Sequence, residues 1–160
     1  MILADVNVLI YAYRPDAPDH AAYRRWLEKT LAGASAFGLA DLVLSGVVRV
    51  LTHPRVFRPP EPVEDALAYV TALRAQPNAA LVHPGPRHWD IFTDLCRATA
   101  AKGNLVADAY LAALAIESGS EWTTTDRDFS RFPGLRWRHP LDGRADRVRE
   151  PRRRGARSRA

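Results

Sequence analysis

Three aspartates are the residues in this chain whose types and spacing point to chemistry. Asp5 closes the apolar opening run Ile2, Leu3, Ala4. Asp108 stands near the head of the Ala- and Leu-rich stretch 106–116, and Asp126 follows the run Glu121, Trp122, Thr123, Thr124, Thr125. Ala and Leu are strong helix formers, whereas Trp and Thr suit a pleated, half-buried strand. The pattern therefore predicts that Asp5 and Asp126 each leave the end of a strand and that Asp108 opens a helix. In open α/β sheets, sites form in the crevice beyond the carboxyl ends of the strands. Carboxylates gathered there repel one another unless protons or a cation intervene. A hard divalent cation, Mg2+ or alternatively Mn2+, takes carboxylate and water ligands and often shares them with substrate phosphate. The chemistry indicated is metal-assisted hydrolysis. Taken singly, each acid also has a structural role open to it: a helix cap for Asp5, a dipole-compensating first-turn residue for Asp108, an Asx-type turn for Asp126. What favours the joint reading is that all three stand at element ends.

Other chemistries find less support. The five histidines, at 20, 53, 83, 88 and 139, have no zinc-like spacing with a second ligand, and three of them precede proline. There is no glycine-rich phosphate loop of the ATP or dinucleotide kind. Ser45 lies in a Ser-Gly pair without the small-residue frame of a nucleophile elbow. Cys96 is the single cysteine, so no internal disulfide forms, consistent with a reducing cytosol; Ile91, Phe92 and Leu95 beside it predict a buried structural thiol.

Three blocks carry a family resemblance: MILADVNVLIYAY at the start, LVLSGVVRVLTHPRVF in the middle and NLVADAYLAALAIESGSEWTTTDRDFSRFPGLRW late in the chain. Together they resemble the signature blocks of PIN-domain ribonucleases, in particular the VapC toxins of mycobacterial toxin–antitoxin pairs. The resemblance covers essentially residues 1–142. It implies a three-layer α/β/α PIN-like sandwich with a four- or five-stranded, mainly parallel sheet. It carries Asp5, Asp108 and Asp126 over as the catalytic, metal-binding acids, and Asn7, Asn104, Thr124 and Asp128 as supporting polar residues. It implies a Mg2+-dependent endoribonuclease (Mn2+ being the alternative ion) in which water attacks phosphorus in line, leaving a 5′-phosphate and a 3′-hydroxyl. It also implies an RNA substrate, tRNA or rRNA, together with a cognate antitoxin and a homodimer. One position departs from the family pattern. Gly46 stands where these nucleases commonly carry a glutamate, a few residues before Arg49, and Asp41 upstream is the candidate replacement. That departure keeps a second reading open, a PIN-fold RNA-binding protein with weakened catalysis. A third is a PIN nuclease of RNA processing without an antitoxin.

The elements that must position these residues follow from periodicity. Strands are expected at 2–5, 35–38, 79–82, 121–125 and 135–137, and helices at 6–13, 20–31, 42–51, 63–75, 86–99 and 106–116. Asp19 and Asp41 are the expected N-caps of the second and third helices, and Gly119 the C-terminal stop after 116. Trp89, Phe92, Leu95 and Cys96 form the expected inward stripe of one helix; Arg49 is open to two readings, contact with phosphate or pairing with a buried acid, and the otherwise apolar face favours the second. The alternation of strands and helices predicts α/β with a mainly parallel sheet.

The 160 residues suit one domain with a true core, and no run approaches the ~18 apolar residues of a membrane helix, so no membrane association is expected. No basic region precedes the apolar start, which argues against a signal peptide and for a cytoplasmic protein. The net charge of +5 is unevenly placed. Residues 144–160 hold eight arginines against Asp146 and Glu150, leaving −1 on the other 143 residues. The expected division is a PIN domain over 1–142 and an Arg-rich, disordered tail over 143–160. That tail is open to two readings, attraction to nucleic-acid phosphates or a solvated extension.

Overall fold

A computed structural model of the chain describes residues 1–142. The expected tail over 143–160 lies outside the described residues. Strands β1 (Ile2–Ala4), β2 (Phe37–Leu39), β3 (Ala79–Leu81), β4 (Glu121–Thr123) and β5 (Trp137–Arg138) form one sheet in the order β3-β2-β1-β4-β5. Every pairing is parallel, with Leu3 opposite Gly38 on one side and Trp122 on the other. The helices are α1 (Val6–Tyr13), α2 (His20–Leu31), α3 (Asp41–Leu51), α4 (Val63–Arg74), α5 (His88–Thr99) and α6 (Asn104–Glu117), with a 3-10 turn at Arg127–Arg131. Helix α1 packs on α2 and α3, and α3 on α4, while α5 packs on α6. This is the expected α/β/α sandwich with a five-stranded sheet.

The strand order contains the feature that makes the site. From β1 the chain adds β2 and then β3 on one side, and later returns to add β4 and β5 on the other. The crossovers leave β1 and β4 in opposite directions, which opens a crevice at their carboxyl ends. Apolar residues of the central strands anchor this edge. Leu3, Phe37, Leu39 and Trp122 are buried, and Trp122 packs on Phe129 with ring centroids 5.2 Å apart. Helix α6 buries Ala109, Ala112, Ala113 and Ala115, whose small side chains let it lie close against the core.

Several expected boundaries shift, with consequences for the site. Helix α6 begins at Asn104 rather than 106, so Asp108 sits one turn inside it and shares a face with Asn104. Asp41 is the first residue of α3, not its cap, and Ala40 holds that position without a side-chain bond. Asp19 holds the expected N-cap position of α2 with a left-handed backbone (φ 55°), and caps through its carbonyl, which accepts from Ala22 and Tyr23, not through its side chain. The stop at Gly119 agrees with expectation, since its φ of 64° is the left-handed turn that ends α6. Trp89 is 65% exposed rather than inward, and Cys96 is only half-buried against the core. Strand β2 lies one to two residues later than 35–38, and the strand expected over 121–125 ends at Thr123, which frees Thr124 for the site.

Candidate active site

Beyond the ends of β1 and β4 opens a cleft of about 810 Å3. Asp5, Val6 and Asp126 line it at the strand ends. One wall is α3, through Leu42, Ser45, Gly46 and Arg49; the other is α6, through Asn104, Ala107, Asp108 and Leu111. Both walls follow the i, i+3, i+4, i+7 spacing of a single helix face. The three aspartates expected to form the site therefore share one cleft.

Each is held differently. Asp5 is 8% exposed, yet both of its oxygens are bonded: Oδ1 accepts from the Val6 backbone N–H at 2.7 Å and Oδ2 from the Thr124 hydroxyl at 2.6 Å. Its pKa is raised because burial outweighs these bonds, with the Asp126 charge adding to the rise. Thr124, fully buried, also accepts from the Asp126 backbone N–H at 3.0 Å, so one hydroxyl ties the two strand ends together. Asp126 in turn accepts from the Asp128 N–H at 2.8 Å and caps the 3-10 turn. Asp108 has no hydrogen-bond partner among the described residues. Burial first, and then the charges of Asp126, Asp5 and Asp128, push its pKa up to about 6.

The supporting residues divide. Asn104 lines the cleft, and Thr124 lies directly behind two of its acids. Asn7 is half-buried beside Asp5, and its Oδ1 is buried without a partner among the described residues. Asp128 is exposed and does not line the cleft; it acts on it through charge and through its backbone N–H.

The chemistry of the donor set fits a hard divalent cation: three carboxylates in one cleft, one with its pKa lifted by the other two, and an orphaned amide oxygen nearby. The carboxylates share the space without closing on a point. Among the described residues, no three His, Cys, Asp or Glu side chains stand close enough to hold an ion by themselves. A magnesium ion commonly keeps several waters and takes only one or two carboxylates plus phosphate, so an open arrangement suits it.

Two readings of the middle block meet the structure here. Asp41, the candidate replacement for the acid missing at 46, lies outside the cleft. Its carboxylate points to Arg74, at 2.6 Å, is 62% exposed, and is absent from the cleft lining. Gly46 does line the cleft, and a Cβ built there would stand 2.9 Å from Val6 Cγ2, so the stiff Val6 side chain occupies the space that any larger residue at 46 needs. Arg49 has no buried acid as partner. It is exposed, makes no ion pair among the described residues, and stands on the cleft wall one turn after Gly46. Leu42, Ala107 and Leu111 line the cleft without being expected there, and Ser45, weighed above only as a nucleophile, joins them. Their helical register with Gly46 and Asp108 was the available signal.

Comparison with known proteins agrees with this geometry. Residues 2–135 match the family model described as PIN domain. The chain is 49% identical over 143 residues to Ribonuclease VapC43 of Mycobacterium tuberculosis, covering 89% of this chain and 97% of that protein. It is 41% identical over 140 residues to Ribonuclease VapC25 of the same organism, covering 88% and 99%. Among solved structures, VapBC2 from Rickettsia felis, bound to a promoter DNA fragment, superposes with a TM-score of 0.64 at 19% identity, covering 87% of this chain and 98% of that one. The sarcin-ricin loop cleaving toxin VapC20 of M. tuberculosis gives 0.60 at 18%, covering 85% and 99%. With a five-stranded parallel sheet, an acidic cleft at its switch point and relatives at this level of identity, the chain belongs to the PIN-domain family, among the VapC-type ribonucleases.

Proposed function

We propose that this chain is a metal-dependent endoribonuclease, the toxin of a type II toxin–antitoxin pair, acting in the cytoplasm on tRNA or rRNA. The observation that carries the reading is the meeting of Asp5, Asp108 and Asp126 in one cleft of a chain 49% identical to Ribonuclease VapC43. The three acids would hold Mg2+, or Mn2+. When bound, such an ion supplies Lewis-acid stabilisation of the phosphodiester and a more acidic attacking water.

The chain's own residues do the rest. The Thr124 hydroxyl holds Asp5 Oδ2 and the backbone at the start of the Asp126 loop in register, which fixes the Asp5 carboxylate against rotation. Asn104, one turn before Asp108, presents an amide into the cleft, and Asn7 Oδ1 offers an acceptor for water beside Asp5. Water attacks phosphorus in line and the 3′ oxygen leaves, so no covalent enzyme intermediate forms. Support for a cognate antitoxin comes from relatives of the same fold found as VapBC complexes. A homodimer belongs to the same reading. So does the division into a PIN domain over 1–142 and a tail whose eight arginines draw RNA phosphates.

The test is induced expression of the wild type beside Asp5→Asn and Asp108→Asn, with growth scored and new RNA 5′ ends sequenced. Growth arrest and discrete cleavage in the wild type alone are expected. Equal arrest by all three proteins would mean that the acids are not the engine. A second reading rests on the missing fourth acid: with Gly46 closed off by Val6 and Asp41 turned to Arg74, the protein binds RNA with weakened catalysis. RNA binding without magnesium-dependent cleavage in vitro would favour it.

A further inference from the structure

We infer that Arg49 binds the RNA phosphodiester inside the cleft, as the anion-holding counterpart of the carboxylates. This inference rests on the nuclease reading above.

Four observations lead there. Helix α3 buries Val43, Leu44, Val47 and Leu51 against the core, and by the helical repeat turns Leu42, Ser45, Gly46 and Arg49 to the cleft. Arg49 is the one cation among the residues lining that cleft. It faces a space that also holds three carboxylates, yet none of them lies within ion-pair distance of it. Finally, position 46, one turn before Arg49, carries no side chain, so α3 sets no acid beside the guanidinium there.

A cleft with cation-attracting acids on one side and, on the other, a guanidinium without an ion pair among the described residues matches a phosphodiester. The acids would hold a cation that neutralises the group, while the guanidinium's planar fork of N–H donors would donate to a non-bridging oxygen and an adjacent ester oxygen. The glutamate common in the family would add negative charge one turn from Arg49 and compete for it. Its replacement by Gly46 leaves Arg49 free for substrate. The competing explanation is that Arg49, in the last turn of α3, merely offsets the helix dipole. That role would leave RNA untouched.

The experiment uses the full chain and a short fluorescein-labelled single-stranded RNA that the wild type cleaves in magnesium chloride. Cleavage by Arg49→Ala and Arg49→Gln is expected to fall about 10- to 100-fold in kcat/KM, as loss of a charged hydrogen bond requires. Arg49→Lys is expected to fall in between, keeping the charge without the fork. Binding of the same RNA is measured in an Asp108→Asn background, where nothing is cut. There Arg49→Ala should flatten the slope of log affinity against log salt by about 0.7, one phosphate contact on a single strand. Arg24→Ala, which removes an equal charge from an exposed pair on α2, should leave the slope within error. The thermal shift produced by magnesium chloride on the otherwise wild-type protein should survive Arg49→Ala.

Cleavage within about threefold of wild type, or an unchanged salt slope, overturns the inference and leaves the nuclease reading standing. Loss of the magnesium shift also overturns it, because Arg49 would then act on the acids and not on RNA. A wild type that cleaves no RNA sinks the nuclease reading instead, and the salt slope alone then decides whether Arg49 holds phosphate.

Discussion

Replacing Asp108 by Asn should make the metal-free protein more stable while abolishing cleavage. Asp108 accepts no hydrogen bond among the described residues, and the nearby Asp126, Asp5 and Asp128 oppose its ionisation, so its folded-state pKa is about 6 against 3.8 for the free group. The folded chain holds this proton more tightly than the unfolded chain does. Between pH ~4 and ~6, stability therefore falls as pH rises, and above pH 6 the full penalty of the ionised group is present. A difference of about 2 pKa units would correspond to about 3 kcal/mol, and solvent screening at a half-buried site lowers this to about 1–1.5 kcal/mol. For a chain of this size that is a rise of about 2–6 °C in Tm at pH 7.5 for Asp108→Asn. Urea and thermal unfolding in the presence of a chelator measure it. At pH 4.5, where the folded proteins both carry a neutral group at 108, the gap should narrow, and it should close below pH ~3.8, where the unfolded chain is protonated too. Magnesium should close it from the other side, by binding the folded wild type more tightly than the variant. A variant no more stable than wild type at pH 7.5, or a gap that ignores pH, would refute the reasoning.

Three further perturbations test the frame around the acids. Thr124→Val removes the hydroxyl that donates to Asp5 and accepts from Asp126; a loss of about 1–3 kcal/mol in urea unfolding and at least tenfold in kcat is expected, with Thr124→Ser close to wild type. Gly46→Glu should destabilise by about 1–3 kcal/mol through the Val6 contact, and combining it with Val6→Ala should recover part of that loss and tighten magnesium binding, read by calorimetric titration. Truncation after residue 142 removes eight arginines and should flatten the salt dependence of RNA binding, which is measured by anisotropy over a salt series.

How much was legible in the sequence depends on the scale of the signal. The alternation of strands and helices was legible because runs such as Ile2–Ala4 and Val6–Tyr13 carry their period within a few residues. The acids were legible because they stand at element ends, where polarity interrupts an apolar run. The start of α6 was misplaced because Asn104 is a poor helix former that is tolerated on an exposed cleft face; this error hid the shared face of Asn104 and Asp108. Trp89 was expected inward because aromatic spacing cannot distinguish the two sides of a half-covered helix, and Asp41 was a candidate fourth acid until the fold brought Arg74 to it from 33 residues away. The reading of Arg49 leaned toward a buried acid for a related reason: charge on an apolar helix signals a partner, and only the tertiary structure shows that no acid among the described residues reaches it.

The two acids most exposed to substitution should not behave alike, and the contrast tests what each contributes. Burial disfavours the charge of both Asp5 and Asp108. Asp108 carries that burden without compensation, whereas Asp5 offsets it with the Val6 N–H and the Thr124 hydroxyl. An amide at 108 removes only repulsion. At position 5 the amide oxygen can still accept from Val6, but its NH2 faces a hydroxyl that was donating. Thr124 must then turn its proton elsewhere while continuing to accept from Asp126, and a buried donor is left without its acceptor. The relief of desolvation at Asp5 is thereby cancelled. Asp5→Asn is expected to leave the chelated protein no more stable than wild type at pH 7.5, or to weaken it by about 1 kcal/mol, although both variants lose cleavage. Parallel urea titrations of the two variants and of Asp5→Asn with Thr124→Ala decide the matter. Equal stabilisation by Asp5→Asn and Asp108→Asn would mean that the Thr124 bond holds nothing in place, and that the cleft is governed by charge repulsion alone.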